Sequence, residues 1–215
     1  MKLDFNTKLV IFDLDGTLLD SMQAWHDIDV QFFKNHNMDV PSDYHTMIAH
    51  MNLAMIAKYT KETYNFSETE EEIISNWYEM ASEIYANEVT LKPGALEFLE
   101  NLKQNGVKMA VATANDEPIY LPCLKRLNIL HYFSYINDIN KCGKNKDNPK
   151  IFTDINEALN ISIENTYVAE DTIKAINTAK DAGYMILAVK EKTVYEDAKK
   201  AVADIYIEDF NGLGL

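Results

Sequence analysis

Six short apolar runs punctuate the chain: Leu9–Phe12, Val107–Val111, Tyr135–Ile136, Thr166–Ala169, Met185–Val189 and a weaker one at Ile205–Ile207. Runs of this length bounded by turn signals predict buried strands. Helix-length segments separate most of them, which is the rhythm of an α/β, doubly wound parallel sheet. The local punctuation agrees. Pro93-Gly94 opens a predicted helix over Ala95–Lys103, and Asn105-Gly106 closes it, with proline near the start and glycine past the end. Asn148-Pro149 opens another helix that runs through Leu159, and Thr172–Ala182 stops at Gly183.

Residues 21–89 do not share that rhythm. Trp25, Ile28, Phe32 and Phe33 recur at helical spacing, as do Ile48, Met51, Met55 and Tyr59, then Ile73, Ile74, Trp77, Met80 and Ile84. No strand pattern interrupts them. The pattern predicts three or four helices forming an α-helical cap inserted after the first strand. The Rossmann-like core is then 1–20 together with 90–215. The aromatic and methionine stripes read as the cap's own core rather than a cofactor box.

Composition narrows the class of partner. With 215 residues, 47% of them hydrophobic, the chain can bury a sizeable core as one large domain or a domain with an insert. A formal net charge of −14 argues against nucleic acid or an anionic membrane surface. It also repels anionic substrates at long range, so a phosphate site needs local cations. No apolar run approaches the roughly 20 residues that span a bilayer. Met1-Lys2-Leu3-Asp4 lacks a signal-peptide core, and Cys123 and Cys142 are too few for a disulfide framework. Cytoplasm is the expected compartment. The pattern says nothing about oligomeric state.

The first strand carries the sharpest chemistry. Leu9–Phe12 runs directly into Asp13-Leu14-Asp15-Gly16-Thr17. Alternation along a strand sends Asp13 and Asp15 to the same side of its C-terminal end, the edge where open α/β sheets bind ligands. Two carboxylates against an apolar strand are costly unless a cation or a reaction requires them, and a divalent metal with a phosphate meets that requirement. A calcium loop of the EF-hand kind would need a third acid and a Glu near position 24, which is Ala24. Glu170 and Asp171 follow another apolar strand and repeat the logic. Adjacent residues point oppositely, so one of the two is expected to face a metal directly.

Asp13-Leu14-Asp15-Gly16-Thr17-Leu18-Leu19-Asp20-Ser21 resembles the opening signature of the haloacid dehalogenase superfamily of phosphotransferases. Three further stretches follow in the order that the family shows: Ala110-Val111-Ala112-Thr113-Ala114-Asn115, Lys146-Asp147-Asn148-Pro149-Lys150-Ile151-Phe152 and Val168-Ala169-Glu170-Asp171-Thr172. The resemblance covers the whole chain and implies a role for each residue. Asp13 is the nucleophile that forms an aspartyl-phosphate, and Asp15 is the general acid and then base. An ordinary carboxylate, with a pKa near ~3.9, is ionised at neutral pH and able to attack phosphorus. Gly16 lets the chain leave the strand tightly, and Thr17 hydrogen-bonds near Asp15.

Thr113 and the Ala114 N–H bind the transferring phosphoryl oxygens. Asn115 either contacts phosphate or begins the next helix, and Asp116 and Glu117 read equally well as helix-start acids. Lys146 neutralises Asp13 and the phosphate together. Lys144 and Lys150 compete with it, and Pro149-Lys150-Ile151-Phe152 sets the register in favour of Lys146. Asp171 is the implied metal ligand, with Glu170 orienting the site or acting through water. Mg²⁺ is the implied cofactor, held by the Asp13 carboxylate, the Asp15 carbonyl and Asp171.

The expected activity is hydrolysis of a small phosphorylated metabolite. The nearest alternative is a sugar-phosphate mutase similar to β-phosphoglucomutase. That pattern has a His on the first cap helix where Trp25 stands, with His26 one residue off, and a lysine where Asp116 stands. Asp15 argues against a dehalogenase, and Asp13 on the first strand argues against a phospho-receiver domain. A non-catalytic metabolite-binding descendant would have no need to keep both Asp13 and Asp15. His26 reads as a surface helix residue near the entrance, His45 and His50 flank a cap helix start, and His131 packs near Tyr132-Phe133. None has metal-ligand spacing.

Overall fold

The computed structural model describes all residues except 1, 5, 49, 50, 52, 192–194 and 215; His50 lies outside the described residues. Six parallel strands form one sheet: β1 (Leu9–Phe12), β4 (Lys108–Thr113), β5 (Phe133–Asp138), β6 (Thr166–Glu170), β7 (Met185–Val189) and β8 (Ile205–Ile207), in the order β5-β4-β1-β6-β7-β8. Phe12 lies opposite both Val111 and Ala169. That register brings the C-terminal ends of β1, β4 and β6 level at the point where strand order reverses, the edge that forms a crevice in open α/β sheets.

Alternation divides each strand between two cores. Val10 and Phe12 pack with Met109, Val111, Tyr167 and Ala169, while Leu9 and Ile11 pack with Ala110, Ala112 and Val168. Helices α5 (Ala95–Gln104) and α6 (Glu117–Arg126) supply Phe98, Leu102, Ile119 and Leu124 to the first face. Short α7 (Ile139–Cys142) and helices α8 (Lys150–Leu159) and α9 (Ile173–Asp181) supply Cys142, Phe152, Ile155 and Ile176 to the second. A sheet covered on both faces explains why the strands read as continuous apolar runs rather than alternating ones.

Helices α1 (Met22–Asn35), α2 (Tyr44–Ile48), α3 (Leu53–Tyr64) and α4 (Glu70–Asn87) lie between β1 and β4 in sequence. Short β2 (Leu19–Asp20) and β3 (Thr90–Leu91) pair antiparallel and join the two ends of this stretch. A capping box at Thr69, reciprocated by Glu72, starts α4. Arg126 closes its far end by donating to the carbonyls of Tyr85 and Val89. Helix α4 packs on α6 and so ties the inserted helices to the sheet domain.

Two expectations shift. Strand β4 reaches Thr113, and β5 spans six residues, because backbone pairing continues past the apolar stretch into polar positions. In the second helical stripe Met51 falls outside α3, and Met55 is exposed. Helix α2 ends at Ile48 and α3 begins at Leu53, so the spacing restarts, and Ala57 and Thr60 face inward instead. No helix among the described residues is long and apolar enough to cross a membrane.

Candidate active site

Asp13 is the first residue beyond β1, and its N–H extends the ladder by donating to the Ala169 carbonyl at 3.0 Å. The chain then reverses. Gly16 takes a left-handed φ of 77°, and a Cβ there would lie 2.7 Å from Asp171 Oδ2. Both the conformation and the close approach require glycine. The reversal is held by the N–H groups of Thr17, Leu18 and Leu19, which all donate to the Leu14 carbonyl.

That tight turn corrects the expectation for Thr17. Its buried hydroxyl faces Asp171 Oδ1 at 3.1 Å and Asp13 Oδ2 at 3.4 Å, not Asp15. The folded-back backbone points it inward, between the ends of β1 and β6.

Asp15 is held elsewhere by three donors. Ser21 Oγ donates to Oδ1 at 2.6 Å, Tyr85 Oη donates to the same oxygen, and Asn115 Nδ2 donates to Oδ2 at 3.0 Å. Ser21 belongs to the stretch Asp13–Ser21, whereas Tyr85 has no sequence signal. It lies one residue beyond Ile84 on α4 and 70 residues from Asp15, so only packing brings the two together. Asp15 is therefore coupled to the inserted helices through Tyr85.

Thr113 is fully buried at the end of β4, and its Oγ1 accepts from the Asn115 N–H at 3.0 Å. Ala114 is exposed at the turn. The Asn115 side chain bridges, donating to Asp15 and accepting from the Asp116 N–H at 2.8 Å; in this arrangement its amide is occupied by protein groups. Asp116 accepts from Tyr78 Oη on α4 and from Asn140 Nδ2, which links α4 to the sheet edge. Glu117 pairs with Lys141 at 2.7 Å near the helix start.

Among the competing lysines, Lys146 reaches the centre. Its ammonium contacts Asp13 Oδ1 and lies 2.7 Å from Glu170 Oε1. Lys144 is exposed, and Lys150 pairs with Asp154 along α8. The other Glu170 oxygen accepts from the N–H groups of Asp171 and Thr172 and from the Thr172 hydroxyl. Glu170 is thereby saturated and orients the loop after β6, while Asp171 keeps an oxygen toward Gly16.

Asp13, Glu170 and Asp171 are all buried, and one carboxylate oxygen of each lies within 4.8 Å of the others. Among the described residues Lys146 is the one ammonium that meets them, so with all three carboxylates ionised two negative charges remain. Burial, together with Glu170 and Asp15, pushes the Asp13 carboxyl up to about 7 against the pull of Lys146. Burial and the charges of Glu170 and Asp13 push Asp171 well above the carboxylate range. Burial and the neighbouring carboxylates thus oppose ionisation of Asp13, while Lys146 favours it. An all-oxygen, buried donor set with this charge deficit fits a hard divalent cation such as Mg²⁺.

A pH dependence follows. Both carboxyls titrate higher in the folded than in the unfolded chain. Their contribution to the metal-free protein is therefore fully present below the ordinary carboxylate pKa and is lost as pH rises through the raised values, about 7 for Asp13. A bound cation requires the ionised forms and removes that penalty. The rise in melting temperature on replacing EDTA with MgCl₂ should therefore be larger near pH ~8 than near pH ~5. A rise that is equal at both, or larger in acid, would contradict a metal site at this cluster.

Comparison with known proteins agrees with the site. A family model described as haloacid dehalogenase-like hydrolase matches residues 10–189. A phosphorylated carbohydrates phosphatase of Thermotoga maritima is 25% identical over 174 residues, covering 81% of each chain. The β-phosphoglucomutase of Bacillus subtilis is 25% identical over 189 residues, covering 85% of this chain and 83% of that one. The crystal structure of CbbY from Rhodobacter sphaeroides in complex with phosphate shares the fold, with a TM-score of 0.79, 19% identity and coverage of 96% and 97%. With the family model spanning most of the chain, and the four stretches Asp13–Ser21, Ala110–Asn115, Lys146–Phe152 and Val168–Thr172 meeting at one sheet edge, the chain belongs to the haloacid dehalogenase-like hydrolase family.

Proposed function

We propose that this enzyme hydrolyses a small phosphate monoester in two steps through an aspartyl-phosphate on Asp13, with Mg²⁺ as cofactor. The observation that carries this reading is the convergence of Asp13, Asp171 and Lys146 at the switch point of the sheet. Mg²⁺ at Asp13, Asp171 and the Asp15 carbonyl would screen the charge between nucleophile and phosphoryl group. Lys146 holds the Asp13 oxygen and neutralises part of the phosphate charge. Thr113 and the Ala114 N–H orient the phosphoryl oxygens. Asp15, two residues from the nucleophile, protonates the leaving alkoxide and later takes a proton from the attacking water. That role requires one of its three present donors to give way. The inserted helices act as the cap, with core 1–20 and 90–215 and cap 21–89, and exclude bulk water from the reacting groups.

The relative named a phosphoglucomutase makes mutation of a sugar phosphate the second reading. Trp25 argues against it. Its ring packs edge-on to Tyr85 at 6.1 Å, and an indole cannot act as the second acid–base group that a mutase needs. Asp116 offers a distal phosphate negative charge. Incubation with β-glucose 1-phosphate, Mg²⁺ and a trace of the bisphosphate, beside a broad panel of phosphate esters, tests the choice. Free phosphate is the expected product, with no dependence on the bisphosphate. Glucose 6-phosphate accumulating faster than free phosphate would overturn the hydrolytic reading.

A further inference from the structure

We infer that Tyr85, on the inserted helix α4, is a positioning residue that anchors Asp15 through Oδ1, so that Oδ2 is the oxygen that carries the transferred proton. The inference rests on the two-step phosphatase reading and assigns the moving part within it. Asp15 needs a free oxygen at the leaving group, and its three donors Ser21, Tyr85 and Asn115 are all buried. They are not equivalent. Ser21 and Tyr85 both donate to Oδ1, whereas Asn115 alone donates to Oδ2, at 3.0 Å. Releasing Oδ1 would break two hydrogen bonds to a carboxylate and deprive two buried hydroxyls of this acceptor. Releasing Oδ2 breaks one. The carboxyl therefore pivots about Oδ1, and Asn115 is the donor that gives way.

Tyr85 can serve as the fixed point because the sheet domain grips α4 at two places. Tyr78 and Tyr85 stand seven residues apart on α4, which is two turns and one face. Each phenol donates to an aspartate of the sheet domain, Tyr78 to Asp116 and Tyr85 to Asp15. Arg126 of α6 donates to the Tyr85 carbonyl at 3.2 Å and to the Val89 carbonyl, filling acceptors that a helix end leaves unpaired. The Trp25 ring packs edge-on to the phenol ring. In the first step the Oδ2–H bond breaks as the departing alkoxide oxygen takes the proton. The bond from that oxygen to phosphorus breaks while the bond from Asp13 to phosphorus forms. In the second step Oδ2 takes a proton from the water whose oxygen bonds to phosphorus, and the bond from Asp13 to phosphorus breaks. Oδ1 keeps both hydroxyl donors throughout.

Tyr85→Phe removes the phenolic oxygen and keeps the ring, and kcat/KM for two esters reads the result. 4-Nitrophenoxide leaves phosphorus without a proton, whereas an alkoxide requires one. For an alkyl phosphate that the wild-type protein hydrolyses, kcat/KM should fall by at least ~10-fold, part of the roughly 10²–10⁴-fold that proton transfer supplies. For 4-nitrophenyl phosphate it should fall by less than ~2-fold. Inorganic phosphate should inhibit both proteins equally, which shows that the phosphate site is intact in the variant. An equal loss for both esters, no loss for either, or weaker inhibition of the variant by phosphate would overturn the inference. A crystal structure of the wild-type protein with Mg²⁺ and trifluoroberyllate, a stand-in for the phosphoryl group on Asp13, tests the oxygen assignment without turnover. Asp15 Oδ1 should keep Ser21 and Tyr85, with Oδ2 released from Asn115. Tyr85 parted from Oδ1, or Asn115 still bonded to Oδ2, would overturn the inference equally. If the wild-type protein hydrolyses no ester, the phosphatase reading fails, while that structure still decides how Asp15 is held.

Discussion

Asp13→Asn should abolish turnover while preserving the fold. The amide keeps the shape of the carboxylate at the end of β1 but cannot attack phosphorus. Loss of general acid–base assistance by itself costs roughly 10²–10⁴-fold, and loss of the nucleophile should cost at least as much. More than about one hundredth of the wild-type rate would contradict covalent catalysis at this residue. Stability should move the other way. Asp13 is buried beside Glu170 and Asp171, with Lys146 alone opposing them. Neutralising it relieves like-charge repulsion, and Lys146 retains Glu170 as a partner. Melting in EDTA should therefore be unchanged or higher, so that absent activity with an intact melt separates chemistry from misfolding.

Removing the cation should have a comparable effect. EDTA is expected to eliminate phosphate release and excess MgCl₂ to restore it, because Lys146 cannot by itself offset three buried carboxylates and an incoming phosphate. Asp171→Ala should raise the Mg²⁺ concentration that gives half-maximal rate by at least ~10-fold. Two contacts would be lost at once: an oxygen ligand and the Asp171 acceptor of the Thr17 hydroxyl. The measurement is rate against free Mg²⁺ for both proteins. Turnover of a true phosphate ester in EDTA, or an unaltered half-saturation in Asp171→Ala, would remove the metal from the mechanism.

Much of the core and its chemistry can be read from local pattern. Leu9–Phe12 and Met185–Val189 coincide with observed strands, since strands buried on both faces leave continuous apolar runs, and Ile205–Ile207 coincides with the half-buried edge strand β8. Asp13, Glu170 and Asp171 stand out for the same reason. Each is a charged residue at the end of such a run, where burial without a function would be costly, whereas Thr113 is singled out only by the family resemblance. The helical character of 21–89 was equally legible from spacing, although the break before Leu53 displaced the inward face of α3.

Contacts between distant segments were not legible. Choosing Lys146 over Lys144 depended on how the loop before α8 descends onto β1 and β6, and proline register alone favoured it without supplying a contact. Thr17 turns toward Asp171 because Gly16 reverses the chain. Tyr85 reaches Asp15 because α4 packs on α6, and the β2–β3 ribbon joins positions 70 residues apart in sequence. Periodicity reports whether a side chain is buried, because burial follows the local geometry of a helix or strand. It does not report which group the side chain meets. Partner choice and the charge balance that lifts Asp13 arise when separate elements pack, and they belong to the three-dimensional arrangement.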